Sequence, residues 1–370
     1  MTTTLRVVLD PSSPGVDADV SEAILELTSA LAAAAPSGCD VRAIVPSDTD
    51  VDAAVADLGI AGADRLPVPA RAVAALWRAG MRAGAGDGLI HSATPAAPLV
   101  RHDRVHDHDQ TVVTMWDLRA WEHPDEVSRA EGAWARAMLR RAVRHADAVV
   151  VPTHELARRL AELAPLGDRI RVIAGAPATE LRVPSDDVGR RRDLALPEGY
   201  VMMSGTSAAS DRLRAGFDAI AASQRDTAVV VLDAGEGEEP VLADLAAAAG
   251  IPERRLHVRG RLDVADRAAV LGGAVAFLAP SESAGFPWRV LDALRIGVPV
   301  VAVDSATHRE VLLDGATYSG GDPESLGAEL SATLASTAAV ERLAVMAADR
   351  GRAFSWQAAA ERVWQLHAEL

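Results

Sequence analysis

The stretch FLAPSESAGFPWRVLDALRIGVPVVAVDSATHRE, residues 277–310, contains the pattern of a strand, a loop, a helix and a second strand. The apolar run at 275–278 predicts a buried strand, and the Ser-, Gly- and Pro-containing stretch at 280–287 predicts a loop. A helix is expected from about Trp288 to the Gly-Val-Pro break at 297–299, before the second strand. Ligands of open α/β sheets bind at the carboxyl ends of strands, and a helix N-terminus favours anions. This loop is therefore the first candidate binding site.

The bulk composition bounds the class of protein. The chain has 370 residues, of which 49% are hydrophobic and 4% aromatic, and its formal net charge is −15. This length predicts two domains, with cores packed mainly by Ala, Val and Leu. The acidic balance argues against a nonspecific nucleic-acid or anionic-membrane surface, because such surfaces need a basic face. A local arginine patch within 136–144 leaves membrane association open.

Cysteine usage and hydropathy predict the cellular compartment. The single Cys39 excludes an intramolecular disulfide and a cysteine-based zinc site. The N-terminus has no charged leader followed by an apolar run, so no signal peptide is expected. No uninterrupted apolar run reaches the ~18 residues of a membrane span. A cytoplasmic protein is expected, with peripheral attachment at the inner membrane face as an open alternative.

The opening stretch resembles the donor-site signature of retaining GT-B glycosyltransferases of family four, which include mannosyl- and glucosyltransferases. The residues in register with that signature are Pro280, Ser281, Gly285, Phe286, 291–293 and 297–302. The resemblance extends over nearly the whole chain. It implies an α/β protein of GT-B fold, in which two Rossmann-like doubly wound domains face each other across a cleft.

The two acidic positions of the signature are altered. The first falls on Ala284, so Glu282, two residues earlier, is the candidate catalytic residue that replaces it in this loop. The second falls on Asp292, and the resemblance implies that this carboxylate receives the ribose hydroxyls of the donor nucleotide. Backbone N–H groups near Gly285 and Phe286 are candidate ligands of phosphate or sugar oxygens.

A second donor-side element opens the second domain. In the resembled family, a Gly-Thr or Gly-Arg pair begins a loop that ends in two cations, which hold the donor diphosphate. Gly205 and Thr206 match the start of that loop, but the cationic positions fall on Ser210 and Asp211. At an effective dielectric of about 20, a like-charge contact at ~4 Å costs roughly 4 kcal/mol. Arg212, one residue later, is therefore the candidate cation for the diphosphate.

The segment 111–118 carries the second strong resemblance. The family reads Val-Val-Thr-Ile-His-Asp-Leu there, and the histidine of that motif falls on Trp116 while Asp117 is retained. The resemblance implies that both side chains face the acceptor. Trp116 cannot relay a proton, so it either stacks on a sugar or serves as a core residue.

Two further acceptor-side candidates lie earlier in the chain. Gly15 is the remaining glycine of a loop that reads Gly-x-Gly in the family, and Asp17 and Asp19 follow it. A strand-to-helix turn without a ligand is the alternative for this loop. The family places a histidine near the acceptor after the third strand, where His91 lies, and a structural role is the alternative for His91.

The histidine-rich run 102–109 allows a metal hypothesis. In an extended segment, His106 and His108 would share one face, where two imidazoles favour zinc or nickel. A solvated loop is the alternative. The resemblance implies that no metal or other cofactor is needed, because the nucleotide sugar is a substrate.

Domain boundaries follow from the motifs and from composition. We expect an acceptor-side Rossmann-like domain at 1–180, a polar linker at 181–199 and a nucleotide-sugar-binding domain at 200–352. A closing helix at 353–370 is expected to cross back to the first domain.

Two functions remain open from sequence. The first is a retaining hexosyltransferase that moves a sugar from a nucleotide sugar to a glycan or lipid-linked acceptor in envelope polysaccharide assembly. The second is a catalytically inactive homologue that binds a partner glycosyltransferase or a glycan, which the altered polar positions favour. A dinucleotide-dependent oxidoreductase is disfavoured, because no Gly-x-Gly-x-x-Gly follows the first strand of either domain.

Overall fold

Two parallel sheets organise the chain, one in each of two structural units. The computed structural model describes residues 2–10, 14, 16–106, 108–282 and 285–370. The first unit comprises Met1–Ala176 together with Ser355–Leu370, and the second comprises Pro177–Phe354.

The first unit contains, within the described residues, a seven-stranded parallel sheet in the order β3-β2-β1-β4-β5-β6-β7. Its strands are β1 (Thr3–Val8), β2 (Cys39–Val45), β3 (Ala63–Arg65), β4 (Leu89–Ser92), β5 (Gln110–Thr114), β6 (Ala148–Val151) and β7 (Ile170–Val172). The helices between them are α1 (Ala18–Ala33), α2 (Val51–Val55), α3 (Ala70–Ala79), α4 (Arg119–Glu122), α5 (Arg129–His145) and α6 (His154–Leu163).

The second unit contains, in its described part, a six-stranded parallel sheet in the order β10-β9-β8-β11-β12-β13. Its strands are β8 (Tyr200–Ser204), β9 (Ala228–Leu232), β10 (Leu256–Val258), β11 (Ala274–Ala279), β12 (Val300–Val303) and β13 (Ala316–Ser319). Its helices are α7 (Asp187–Asp193), α8 (Leu213–Ala222), α9 (Glu239–Ala248), α10 (Val264–Gly273), α11 (Trp288–Ile296), α12 (Ala306–Leu312), α13 (Pro323–Thr333) and α14 (Thr337–Gly351). The last helix, α15 (Trp356–Glu369), belongs to the first unit.

Strand composition explains why both sheets are covered on both faces. Parallel strands buried on two sides read as continuous apolar runs, without a polar alternation. Val229, Val230 and Val231 of β9 are all fully buried, as are Val300 and Val301 of β12. The prediction of two doubly wound α/β units is thereby confirmed.

The expected linker at 181–199 has structure of its own. It contains α7, which lies against α10: the guanidinium of Arg190 pairs with Asp266 at 2.7 Å, and Arg191 donates to the carbonyl of Ala269 at 3.1 Å. The whole stretch belongs to the second unit. None of the described helices combines the length and hydrophobicity needed to span a bilayer.

The strand order reverses once in each sheet. In the first unit the chain runs outward from β1 to β3 on one side and from β4 to β7 on the other, and in the second unit the same reversal separates β8 from β11. The loops that follow the two central strands diverge at such a point and leave a crevice at the carboxyl edge, where ligands of open α/β sheets bind. The fold therefore predicts one crevice per unit.

Helix α15 is tied to the first unit by buried polar contacts. The indole N–H of Trp364 donates to the carbonyl of Leu31 at 3.0 Å. The Nδ1 atom of His367 lies 2.8 Å from Oε1 of Gln110, and its Nε2 lies 3.4 Å from Nδ1 of His91. The His91 side chain is fully buried, so these rings join α15 to β4 and β5 away from solvent.

Burial keeps both imidazoles of this pair neutral. It lowers the pKa of His91 to about 3, with repulsion from His367 as a second cause. It also lowers the pKa of His367 to about 4, against the raising influence of Asp147. Both folded-state values lie below the unfolded value of about 6.5.

Two helical glycines of the second unit differ in the space available for a side chain. A Cβ added at Gly327 of α13 would lie 2.5 Å from the carbonyl oxygen of Ala219 and 3.0 Å from Cβ of Ala222, so α13 and α8 approach each other at this glycine. A Cβ added at Gly189 of α7 would meet no atom within 4 Å.

We predict that acid destabilises the first unit through the histidine pair. Between about pH 6.5 and 4 the unfolded chain binds protons that the folded chain does not, so stability falls as the pH drops, by at most about 2 kcal/mol per imidazole at pH 5. Chemical denaturation between pH 7.5 and 5 measures the slope. The double variant His91→Gln/His367→Gln is expected to have a flatter curve, and ring protons of either histidine that titrate near pH 6.5 by NMR would contradict the prediction.

We predict opposite effects for Gly327→Ala and Gly189→Ala. The first forces a methyl group against backbone atoms of α8 and is expected to cost about 1–3 kcal/mol of unfolding free energy. The second adds a better helix former in open space and is expected to be neutral or stabilising by up to ~1 kcal/mol. Urea unfolding, with hydrogen exchange of the α8 amides, measures both. Equal stability of the two variants would show that α13 and α8 do not meet as described.

Candidate functional site

In the second unit, the loops that follow β8 and β11 are joined at the crevice. The hydroxyl of Ser281 donates to the carbonyl of Ser210 at 2.7 Å. Arg212 forms an ion pair with Glu282, and its Nη2 also donates to the carbonyl of Gly321 at 2.7 Å. The structure thus brings together Arg212 and Glu282, which the sequence assigned to two separate motifs.

The Asp211 carboxylate is directed back into its own loop. Its Oδ2 accepts from the backbone N–H of Thr206 at 2.7 Å and from the Thr206 hydroxyl at 2.8 Å. Gly205 has φ +144°, and a Cβ there would lie 2.9 Å from Cβ of Asp211, so glycine is required for this tight turn. The carboxylate expected to oppose a diphosphate therefore stabilises the loop.

Arg212 is held at the start of α8. Its backbone lies in the left-handed region with φ +53°, directly before the first residue of the helix. The Arg212 side chain is 28% exposed and that of Glu282 is 52% exposed. Ion pairs of such exposure contribute only about 0–1 kcal/mol, so an incoming anion can replace Glu282 at little cost.

Asp292 lies in a buried network below this crevice. Its Oδ2 is 3.0 Å from Nε of Arg267 and 3.0 Å from Nη1 of Arg289, and its side chain is 3% exposed. Arg289 also pairs with Asp233 at 2.7 Å, and Asp233 accepts from the hydroxyl of Ser204 at 2.8 Å. The ribose-binding role of Asp292 stays a prediction, since in this arrangement its carboxylate binds two arginines.

Arg289 and Asp233 were missed by sequence reasoning. Asp233 directly follows β9 and has φ +62°, which places it at the carboxyl edge beside Ser204 of β8. Burial alone would raise the pKa of Asp233, but Arg289 and the Ser204 hydroxyl hold it below its ordinary value. An acidic residue at a strand end and an arginine three residues before Asp292 were the available signals.

The Gly-Phe part of the donor motif packs against the first residue of α11. Phe286 is buried, and its ring meets that of Trp288 edge to face, with 4.7 Å between the centroids. Gly285 is half-buried next to it. Ala284 lies outside the described residues. The phosphate-binding role of the Gly285 and Phe286 backbone stays a prediction.

In the first unit, a cavity of about 240 Å³ lies at the crevice beside β1 and β4. The β1–α1 loop, the segment after β4, the segment from β5 through α4, and helix α5 all contribute to its walls. The lining residues are Pro14, Val16, Asp17, Val20, Thr94, Pro95, Met115, Trp116, Asp117, Arg119, Ala120, Trp121, Val127, Glu131, Trp134 and Ala135. Two of the predicted acceptor-side residues, Trp116 and Asp117, thus share one cavity.

Trp116 belongs both to the core and to the cavity wall. Its side chain is 7% exposed, and its indole N–H donates to the carbonyl of Ala93 at 2.8 Å. Asp117 is half-buried, and its Oδ1 accepts from the backbone N–H of Arg119 at 2.8 Å, which caps the first turn of α4. Their acceptor-side roles stay predictions.

The other acceptor-side candidates lie elsewhere. His91 is fully buried against His367 and does not line the cavity. Gly15 lies outside the described residues. Trp121, Glu131 and Trp134 line the cavity although the sequence analysis did not select them. The helical spacing of Glu131, Trp134 and Ala135 on one face of α5 was the signal that would have found the last two.

The histidine-rich run is not extended. His106 lies in a turn, where its Nδ1 is 2.8 Å from Oδ2 of Asp103, and His108 has φ +56°. The shared face predicted for His106 and His108 is therefore wrong, because Asp103 caps a local turn. Within the described part of the chain, no three His, Cys, Asp or Glu side chains are grouped closely enough to hold a metal ion.

Two family models match the chain, one in each unit. The model described as "Glycosyltransferase Family 4" matches residues 20–177, and the model described as "Glycosyl transferases group 1" matches residues 200–336. Phosphatidyl-myo-inositol mannosyltransferase from Mycobacterium leprae is 31% identical over 147 residues, which are 38% of this chain and 37% of that protein. The chain thus matches well under two thirds of the length of this curated relative.

Solved structures resemble the chain over its full length. HepE from Anabaena, crystallised with UDP and glucose, has a TM-score of 0.74 at 15% identity and covers 100% of both chains. Sucrose-phosphate synthase from Thermosynechococcus elongatus has a TM-score of 0.72 at 18% identity, over 99% of this chain and 98% of its own. At these identities the likeness supports the fold, and together with the two family models it shows that the chain belongs to the family 4 glycosyltransferases of GT-B fold.

Proposed function

We propose that this protein transfers a sugar from a nucleotide-sugar donor, bound at the crevice of the second unit, to an acceptor bound in the cavity of the first unit. The observation that carries the proposal is the placement of Arg212 at the carboxyl edge of β8. There its guanidinium is held between an exchangeable carboxylate, Glu282, and the carbonyl of Gly321. An arginine whose anionic partner is an exposed carboxylate can exchange that partner for an anionic ligand.

The charge of the donor diphosphate would be met by two kinds of group. Arg212 supplies a full positive charge once Glu282 is displaced. The first turns of α8 and α11 supply backbone N–H groups and the positive end of a helix dipole. The repulsion from Asp211 is reduced, because the backbone N–H and the hydroxyl of Thr206 both donate to its carboxylate. No metal is required in the proposed site.

The finer parts of the proposal come from the resemblance and from the relatives. We propose a retaining transfer, as in the resembled family. We also propose that the protein acts in the cytoplasm, in the assembly of an envelope glycan or glycolipid. The similarity to a mannosyltransferase of Mycobacterium leprae supports the sugar-transfer part of this proposal. UDP is the first nucleotide to test, because HepE was crystallised with UDP and glucose.

We predict that Arg212→Gln weakens nucleotide diphosphate binding by about 10- to 100-fold, the range expected when charge-assisted hydrogen bonds are lost. Glu282→Gln is expected to tighten binding by roughly 3-fold, because the competing carboxylate is removed. Calorimetric titration with UDP and with GDP at low salt measures both. Arg214→Gln, on the exposed side of α8, is the matched control, since Arg214 pairs with Asp218.

Binding that is unchanged by Arg212→Gln would show that the anion lies elsewhere. The absence of any nucleotide binding would leave the inactive partner-binding homologue as the function of this chain.

We predict sugar transfer with retention of anomeric configuration. Wild-type protein with UDP-glucose or GDP-mannose and a panel of hydroxylated acceptors is expected to release nucleotide diphosphate, and Arg212→Gln is expected to lose most of this rate. Proton NMR of the product reads the anomeric coupling. An inverted product would overturn the retaining assignment, and nucleotide binding without turnover would favour the inactive homologue.

A further inference from the structure

Three tryptophans line the cavity of the first unit, an unusual share in a chain with 7 tryptophans in all. Trp116 donates its indole N–H to the carbonyl of Ala93 at 2.8 Å, and Trp134 donates to that of Ala74 at 3.4 Å. Trp121 is half-buried at the same wall. Because the polar edges of Trp116 and Trp134 are satisfied within the protein, these residues offer aromatic carbon to an occupant.

The charged groups of the cavity are mainly acidic. Among the described lining residues, Asp17, Asp117 and Glu131 are acidic, and Arg119 is the single cationic side chain. Asp17 and Asp117 each accept one backbone N–H, from Val20 and Arg119, through a single carboxylate oxygen. In the described part of the chain, the Glu131 carboxylate has no ion-pair partner. The cavity therefore carries an excess of negative charge beside aromatic walls.

This combination selects the charge of the occupant. Aromatic rings attract cations through their quadrupole, and recognition of ammonium groups by aromatic cages is the best-known use of that attraction. Carboxylates at the same wall add a direct Coulomb attraction, which strengthens as water leaves the site. A phosphate group placed inside the cavity would instead be repelled by the three carboxylates.

The size of the cavity suits a compact group. Its volume of about 240 Å³ is below the ~300–1,000 Å³ of pockets for drug-sized ligands. One ring or one short branched group fills that space.

We propose that the cavity binds a positively charged ammonium group carried on a compact hydroxylated molecule, such as an amino sugar or an amino alcohol. The assignment of this molecule as the sugar acceptor rests on the proposed function; the binding of the ammonium group does not. Trp121 and Glu131 are its specificity-determining residues, because they provide an aromatic wall and an unpaired carboxylate.

The test compares two probes of the same shape and different charge. Choline carries a quaternary ammonium, and 3,3-dimethylbutan-1-ol replaces its nitrogen by carbon. Saturation-transfer NMR of the probe methyl groups on the full-length protein gives both dissociation constants. Choline is expected to bind about 10-fold more tightly than the alcohol, and less tightly as salt is added.

Variants locate the binding. Glu131→Gln is expected to weaken choline binding about 3- to 10-fold and to leave the alcohol unaffected, whereas Trp121→Leu is expected to weaken both. Glu162→Gln, at an exposed position of α6, is the matched control. In a transfer assay, glucosamine is expected to exceed N-acetylglucosamine as an acceptor, since acetylation removes the charge.

Equal affinity for the two probes, no binding of either probe, or choline binding that Glu131→Gln leaves intact would each overturn this inference. The same preparations are titrated with UDP to separate the two proposals. Nucleotide binding without choline binding would overturn the ammonium site alone. Choline binding without nucleotide binding would overturn the proposed function and leave the ammonium site standing.

Discussion

The reversal of strand order in each parallel sheet is the constraint on which the rest of the structure depends. All strands of a parallel sheet end at the same edge, and the chain leaves the two central strands in opposite directions, so a crevice must open there. It opens beside β1 and β4 in the first unit and beside β8 and β11 in the second. The candidate cavity and the Arg212 loop lie at these two places.

The fold was largely predictable because it depends on local patterns that recur along the chain. The strand predicted at 275–278 is observed as β11, and the helix predicted from about Trp288 is observed as α11, which ends at Gly297 in the left-handed conformation. Such elements follow from apolar runs, glycine and proline. The prediction of an extended histidine run was wrong because another local interaction decides the backbone there. The Asp103 side chain accepts the backbone N–H groups of Val105 and His106 and so stabilises a turn.

The candidate site was predictable in position but not in the direction of its side chains. The motif register identified Asp211 and Arg212, yet it did not indicate that Thr206 turns one of them inward while Glu282 holds the other at the surface. The pair of Arg289 with Asp233 spans 56 residues of sequence and involves two different strand ends. No local pattern reports such a contact, since only the sheet topology brings those ends together.

Two kinds of ion pair in the second unit differ in their burial and therefore in their roles. The pairs of Asp292 with Arg267 and Arg289 are buried, with side chains at most 6% exposed, and removing one partner of such a pair typically costs about 3–5 kcal/mol. They hold the first turns of α11 against α10, which contains Arg267. The pair of Arg212 with Glu282 is exposed and worth little, so it can be exchanged for another anion. The buried pairs keep their arrangement when an anionic ligand binds, and only the exposed pair of Arg212 has to be broken. Binding and release of the ligand therefore do not require the site to be reordered.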